Sequence, residues 1–171
     1  NEAPNMLWDA FHNFGEIGEY RVVAQTDECV VIRLENDTGE GDMILYQVFD
    51  GIFLMYNDFH MSQYHSVYQA VDTVLAVDYC REGSLTMEWD NGMYCMKKTG
   101  SICIDSSVHH KGITYLPTSH YHGITIGFVN SLAEKALEKN AAGIPINLKA
   151  LRKKFCGDDR YFIIQEDETL R

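Results

Sequence analysis

Residues 71–104 read VDTVLAVDYCREGSLTMEWDNGMYCMKKTGSICI, and this stretch decides the fold class. It opens with a run rich in β-branched and aromatic residues, which Arg81-Glu82-Gly83 interrupts. Apolar and polar residues then alternate as far as Trp89, which is the period-two pattern of a strand with one wet face. Asn91-Gly92 predicts a tight hairpin turn, because both residues tolerate positive φ. The stretch therefore predicts a series of antiparallel strands.

The same pattern extends to both sides of this stretch. Further strands are predicted at 20–24, 29–35, 43–49, 52–56 and 120–130, and Asp50-Gly51 is a second hairpin signal. Antiparallel strands at this spacing form either a sandwich or a closed barrel, and a barrel encloses a cavity. A ligand site inside the barrel is therefore expected, although the fold alone does not name its ligand.

Two short helices are predicted after residue 130. Ser131 and Glu134 have the spacing of a capping box at the start of the first helix. Gly143 and Pro145 end that helix, and Asn147 can cap the second. We expect one domain, with an N-terminal cap at 1–14, a β-barrel at 15–130 and a helical appendage at 131–171.

Composition and charge exclude several classes of function. The 171 residues carry a net charge of −11, which argues against this chain gripping the acidic backbone of nucleic acid. No apolar run approaches the length of a membrane-spanning helix, so no membrane partner is expected. The five cysteines are scattered and form no C-x-x-C motif, which favours free thiols in the cytoplasm.

Histidines and one cysteine are the first candidates for chemistry. His120 and His122 would place both rings on one strand face, as in metal-binding jelly rolls, but no acidic residue follows them closely. Arg81 could lower the pKa of the Cys80 thiol, yet a strand cysteine is more often an inert apolar residue. No glycine-rich phosphate loop occurs. The sequence therefore predicts no cofactor, no bound metal and no catalytic residue.

Four motifs occur in a characteristic order: NDFH at 57–60, CREG at 80–83, YHGITI at 121–126 and LRKKFC at 151–156. Together they resemble the N-terminal regulatory domain of AraC-type bacterial transcription regulators, over nearly all of residues 15–165. Ser84 and Ser101 depart from that group, where an arginine and an aspartate are common. The resemblance implies a mainly β fold, a cupin-like antiparallel β-barrel (jelly roll) followed by two short α-helices.

The resemblance also implies a function that is not enzymatic. Such a domain senses a small-molecule effector, with a sugar as one candidate here, and forms a homodimer, while a downstream domain absent from this chain binds DNA. Aromatic or polar residues at central strand positions, expected to face into the barrel, are the predicted ligand contacts; they are Tyr56, His60, Tyr79, Arg81, Trp89, Tyr94 and His122. Two alternatives stay open: a small metal-dependent cupin enzyme that uses His120 and His122, and an interaction module without a ligand.

Overall fold

The computed structural model describes residues 16–66, 74–89, 92–106, 110–141, 146–157 and 161–165. These residues form twelve β-strands and two α-helices. The strands are β1 (Glu16–Ile17), β2 (Tyr20–Gln25), β3 (Cys29–Asn36), β4 (Gly39–Phe49), β5 (Ile52–His60), β6 (Gln63–Ser66), β7 (Val74–Trp89), β8 (Tyr94–Lys98), β9 (Ser101–Asp105), β10 (His110–Tyr115), β11 (Tyr121–Val129) and β12 (Phe162–Gln165). The helices are α1 (Asn130–Asn140) and α2 (Leu148–Phe155).

The strands form an antiparallel sheet that curls into a half-barrel. The predicted mainly β architecture with two short helices is therefore confirmed, and β1, β6 and β10 are strands beyond those predicted from the sequence. The predicted N-terminal cap at 1–14 lies outside the described residues. Neither described helix is long and apolar enough to cross a membrane.

Strand β7 organises the sheet because it has neighbours on both edges along most of its length. Its first half pairs with β11 on one edge and β9 on the other. Its second half pairs with β10 and β8. From β11 the sheet continues through β5, β4, β3 and β2 to β1, while β6 follows β10 and β12 pairs with β9. One strand thus belongs to both halves of the curled sheet.

The CREG motif bends β7 between these halves. The register with β11 shifts between His122 and Gly123, and Arg81 is the extra residue of the resulting β-bulge. Gly83 has a φ of +81°. A Cβ at this position would lie 2.0 Å from the carbonyl oxygen of His120, so only glycine fits here. The interruption seen in the sequence is therefore a bend within one continuous strand.

Among the described residues, the two largest apolar cores lie on opposite sides of the sheet. The main core fills the concave side and includes the fully buried residues Val30, Ile32, Leu34, Leu45, Met61 and Leu116. A smaller core lies where the helices cover the convex side, and it contains Ile52, Leu75, Ala133, Ala136, Leu148 and Cys156. The helices therefore pack on the outside of the half-barrel, as expected.

The two helix starts differ in how well the sequence predicts them. Helix α1 begins at Asn130 with Val129 as its N-cap and no side-chain hydrogen bond there. The predicted capping box with Ser131 as N-cap is therefore wrong, because β11 runs directly into the helix. Asn147 caps α2 as predicted, since its Oδ1 accepts a hydrogen bond from the Ala150 amide at 2.8 Å.

Candidate functional site

The concave side of the half-barrel contains a cavity of about 160 Å³. Apolar and aromatic side chains dominate its wall, and the aromatic ones are Tyr20, Phe53, Phe59, Tyr64 and Tyr121. Burial raises the pKa of both Tyr64 and Tyr121, so these two side chains are neutral phenols. The cavity therefore offers flat apolar surfaces that carry hydroxyl groups.

A buried ion pair lies in the wall of this cavity. Lys97 Nζ lies 2.5 Å from Asp78 Oδ2 and 3.7 Å from Asp105 Oδ2. The three side chains are between 1% and 10% exposed. Burial alone lowers the pKa of Lys97, but the neighbouring carboxylates hold that pKa well above its usual value. Lys97 is therefore a buried cation between two carboxyl groups.

Two further polar side chains extend this cluster along the wall. Thr125 Oγ1 donates a hydrogen bond to Asp78 Oδ1 at 2.5 Å, and Asn57 Nδ2 donates to Thr125 Oγ1 at 3.4 Å. The strand register explains the contact, since Asp78 on β7 lies directly opposite Thr125 on β11. We refer to Asn57, Asp78, Lys97, Asp105 and Thr125 as the polar cluster.

The same region contains two of the buried cysteines. Cys103 Sγ lies 3.9 Å from Cys95 Sγ and 3.9 Å from Asp105 Oδ2. Asp78, Cys103 and Asp105 together have donor atoms close enough to hold a metal ion. The Lys97 ammonium group already lies between these two carboxylates and balances one of their two negative charges.

The seven residues predicted to contact a ligand are Tyr56, His60, Tyr79, Arg81, Trp89, Tyr94 and His122. The six whose side chains are described do not line the cavity. Tyr56, Tyr79 and His122 each follow or precede an inward residue in their strand, so they face outward. His60, Arg81 and Tyr94 are exposed. The Trp89 side chain lies outside the described part, and a role of these residues in ligand binding stays a prediction.

The polar cluster went unnoticed in the sequence, although one signal was present. Asp78 lies two positions from both Ala76 and Cys80 in VLAVDYC, and Lys97 lies two positions after Cys95 in YCMKK, so each shares a strand face with apolar residues. A charged residue at a buried position needs a charged partner. Two buried residues of opposite charge are therefore expected to form an ion pair. The spacing of Asp78 and Lys97 in the sequence does not by itself show that they lie close together.

Several histidines and carboxylates gather on the outer face near the bend in β7. His60 Nε2 lies 3.1 Å from Asp58 Oδ1, and His120 Nε2 lies 3.3 Å from Glu82 Oε2. The rings of His60 and His120 are 5.0 Å apart. His122 is the partner predicted for His120 from the sequence, whereas the ring contact that the structure shows for His120 is with His60. Among the described residues, no histidine lines the cavity, and the enzyme hypothesis based on His120 and His122 stays a prediction.

Cys80 does not have the environment of a nucleophile. Its side chain is buried, and its Sγ lies 3.7 Å and 3.6 Å from the carbonyl oxygens of Glu82 and Gly83. Burial raises the pKa of the Cys80 thiol to about 11, an effect that Lys97 only partly opposes. The neighbouring Arg81 side chain is exposed. Cys80 is therefore an uncharged thiol at neutral pH.

No family model and no curated protein matches the chain. Among solved structures, it is similar to the putative glyoxylate induced protein from Pseudomonas aeruginosa, with a TM-score of 0.49 and 12% identity over 90% of this chain and 55% of that one. It is also similar to the AraC-like transcriptional activator CuxR (TM-score 0.41, 11% identity, 58% of this chain and 38% of that one). A third similarity is to unsaturated fatty acid bound ToxT from Vibrio cholerae (TM-score 0.45, 8% identity, 69% and 42%). The chain spans only 38% to 55% of the lengths of these structures, and at such TM-scores the similarity carries no information about its ligand.

Proposed function

We propose that this chain is the ligand-sensing and dimerisation domain of an AraC-type transcription regulator, and that it binds a small, neutral, hydroxyl-rich molecule in its interior cavity. The observation that carries the proposal is the polar cluster, which lies in an otherwise apolar and aromatic wall. Ligand pockets commonly combine such a wall with a few polar groups that orient the bound molecule. The motif resemblance supports the regulator class.

The volume of the cavity limits the size of the ligand. An apolar cavity of about 150 Å³ accommodates benzene, and this cavity measures about 160 Å³. The ligand therefore has on the order of ten non-hydrogen atoms or fewer. A monosaccharide or a shorter polyol is at the upper end of this range, whereas a long acyl chain exceeds it.

The charge of the cavity limits the chemistry of the ligand. Lys97 provides one positive charge, whereas Asp78 and Asp105 provide two carboxyl groups. A ligand carboxylate would have to compete with both aspartates for Lys97, which disfavours anions. A hydroxyl group can donate to a carboxylate and accept from the ammonium or amide group. Aromatic rings can then contact the apolar face of the same molecule.

The experiment that tests this proposal is a thermal-shift screen followed by calorimetry. The panel contains neutral monosaccharides and short polyols, each matched with its acidic derivative. A molecule that binds the folded state raises the melting temperature. We expect neutral members to raise it and their acidic counterparts to have little effect. A panel that gives no shift favours the interaction module without a ligand.

Two neighbouring residues on β5 provide a matched pair of variants. Asn57 faces the cavity, whereas Tyr56 faces outward and is 38% exposed. We expect Asn57→Ala to weaken the binding of any ligand found by roughly tenfold, as for the loss of a buried hydrogen bond. Tyr56→Ala should leave that affinity unchanged. The opposite result would move the ligand site to the outer face of the sheet.

The remaining parts of the proposal concern partners and location. We propose that the chain forms a homodimer through the outer face of α1 and α2, where Leu151 is 37% exposed. In this proposal a separate downstream domain binds DNA, and the regulator works in the cytoplasm without enzymatic activity. Light scattering on the purified chain tests the dimer, and Leu151→Glu should shift a dimer towards monomer.

A further inference from the structure

The outer face brings together two imidazoles and a carboxylate, from β5 and from the residue that precedes β11. Asp58 and His60 are two residues apart on β5, so their side chains share one face. Phe59 pairs with Tyr121, and His120 immediately precedes Tyr121. His120 therefore lies beside His60, with a ring separation of 5.0 Å. This arrangement is separate from the interior cavity.

We propose that Asp58, His60 and His120 form a binding site for a first-row transition-metal dication of the Zn²⁺ class. One donor atom from each residue lies within 4.8 Å of the other two. Imidazole nitrogen suits such metals, and a carboxylate oxygen commonly completes their coordination. The site does not depend on the proposed sensor function.

Small side-chain movements are sufficient to form this site. Ligands at about 2.0–2.1 Å from a tetrahedral zinc ion are roughly 3.3 Å apart. The three donors, which lie within 4.8 Å of one another, therefore need to approach by at most about 1.5 Å. The side chains of Asp58, His60 and His120 are 57%, 62% and 33% exposed. Because they are open to solvent, they can rotate without disturbing the core.

A second carboxylate makes the site more favourable for a dication. Glu82 Oε2 lies 3.3 Å from His120 Nε2. Carboxylates next to metal-binding histidines orient the ring and strengthen its bond to the metal. With neutral imidazoles, Asp58 and Glu82 carry two negative charges, which one dication balances. Glu82 lies at the bend in β7, directly before Gly83 with its positive φ.

Zinc titration by calorimetry on the metal-free chain tests the site. We expect one equivalent of Zn²⁺ to bind, and His60→Ala and His120→Ala each to weaken binding by more than tenfold. Glu82→Gln should weaken it by about tenfold, as expected for a residue that supports a ligand. Mg²⁺ should not bind, because it prefers oxygen ligands.

His65 provides the matched control. Its Nδ1 lies 3.2 Å from Glu19 Oε1, and its side chain is 58% exposed, so it is the same kind of exposed histidine–carboxylate pair. It belongs to neither group of described residues that could hold a metal. His65→Ala should therefore bind zinc like the wild type.

Thermal shifts provide a second readout that also reports on folding. One equivalent of Zn²⁺ should raise the melting temperature of the wild type and of His65→Ala, but not that of His60→Ala or His120→Ala. The proposal is overturned if both His60→Ala and His120→Ala bind zinc with wild-type affinity. It is also overturned if the wild type shows no saturable binding up to about 1 mM Zn²⁺, the range in which only weak complexes form.

Discussion

Lys97 Nζ and Asp78 Oδ2 are 2.5 Å apart, and they join the two halves of the curled sheet. Asp78 lies on the first half of β7, beside β11 and β9. Lys97 lies on β8, where it pairs with Leu85 on the second half of β7. The ion pair therefore spans the bend that the CREG motif creates, and it links the stability of the fold to the chemistry of the cavity.

Removal of the Lys97 charge should destabilise the protein strongly. Lys97→Met leaves Asp78 and Asp105 buried without their cation, and breaking a buried pair in this way costs about 3–5 kcal/mol. Urea denaturation measures the change in the free energy of unfolding. Lys98→Met is the control, since Lys98 is exposed on the same strand, and it should change that free energy little.

A double-mutant cycle separates the pair from its surroundings. Lys97→Met combined with Asp78→Leu should recover part of the stability lost in Lys97→Met, because one unpaired carboxylate is removed with the ammonium group. If the two single substitutions have strictly additive effects on the free energy of unfolding, the pair does not couple the two halves of the sheet.

The bend in β7 provides a second prediction, based on two glycines with similar backbones. Gly83 and Gly92 have φ values of +81° and +76°. A Cβ on Gly92 would have nothing within 4 Å, whereas a Cβ on Gly83 would meet the backbone of His120. Gly92→Ala should therefore cost only the strain of a positive φ, about 1–2 kcal/mol. Gly83→Ala should cost clearly more or prevent folding, as measured by urea denaturation. If both substitutions lower the free energy of unfolding equally, β11 can move away from residue 83 without loss of stability.

The ion pair between Arg33 and Asp42 predicts a dependence of stability on pH. Arg33 Nε and Nη2 donate to the two carboxylate oxygens of Asp42, both at 2.8 Å. The hydrogen bonds from Arg33 lower the pKa of Asp42 below 3.8, although partial burial opposes them. Because the pKa of Asp42 is lower in the folded state than in the unfolded state, the ion pair stabilises the fold fully at pH values above the unfolded-state pKa. This contribution disappears as the pH falls through the folded-state pKa.

The expected effect of this pair is small, because both side chains are about one-third exposed. At pH 7, Asp42→Asn should lower the free energy of unfolding by no more than about 1 kcal/mol, as for other exposed pairs. The difference from wild type should shrink below pH 4 and with added salt. Urea denaturation at pH 7 and at pH 3 measures it. A difference that grows towards acid pH would contradict this assignment.

The cysteines should differ in reactivity with alkylating reagents. Cys29 is partly exposed, whereas Cys80, Cys95, Cys103 and Cys156 are buried. Burial raises the pKa of Cys80 and of Cys156 to about 11, so neither is a thiolate at pH 8. Iodoacetamide should therefore modify Cys29 first in the native protein, as measured by peptide mass spectrometry. Rapid modification of Cys80 in the folded chain would show that β7 opens at the bend.

Local sequence predicts much of the architecture. The alternation in residues 71–104 and the glycines at tight turns favour antiparallel strands, because side chains on a strand alternate between two faces. Asn147 marks the start of α2 correctly, since an N-cap is a local hydrogen bond between a side chain and a nearby amide. These features depend on neighbours in the chain, and the sequence therefore determines them by itself.

Only the tertiary structure decides which face of each strand is inside. On β11, Ile124 and Ile126 point outward, while Gly123, Thr125 and Gly127 point inward. The inner face is narrow there: a Cβ on Gly127 would lie 1.9 Å from the ring of Phe53. Small residues are therefore needed on the inner face of β11. A prediction from sequence normally takes the face with the bulkier apolar residues as the buried one, and on β11 that prediction is wrong. A shift of one residue moves every side chain to the other face, and for this reason the sequence pointed to Tyr56, Tyr79 and His122, whereas the fold placed Asn57, Asp78 and Tyr121 at the cavity.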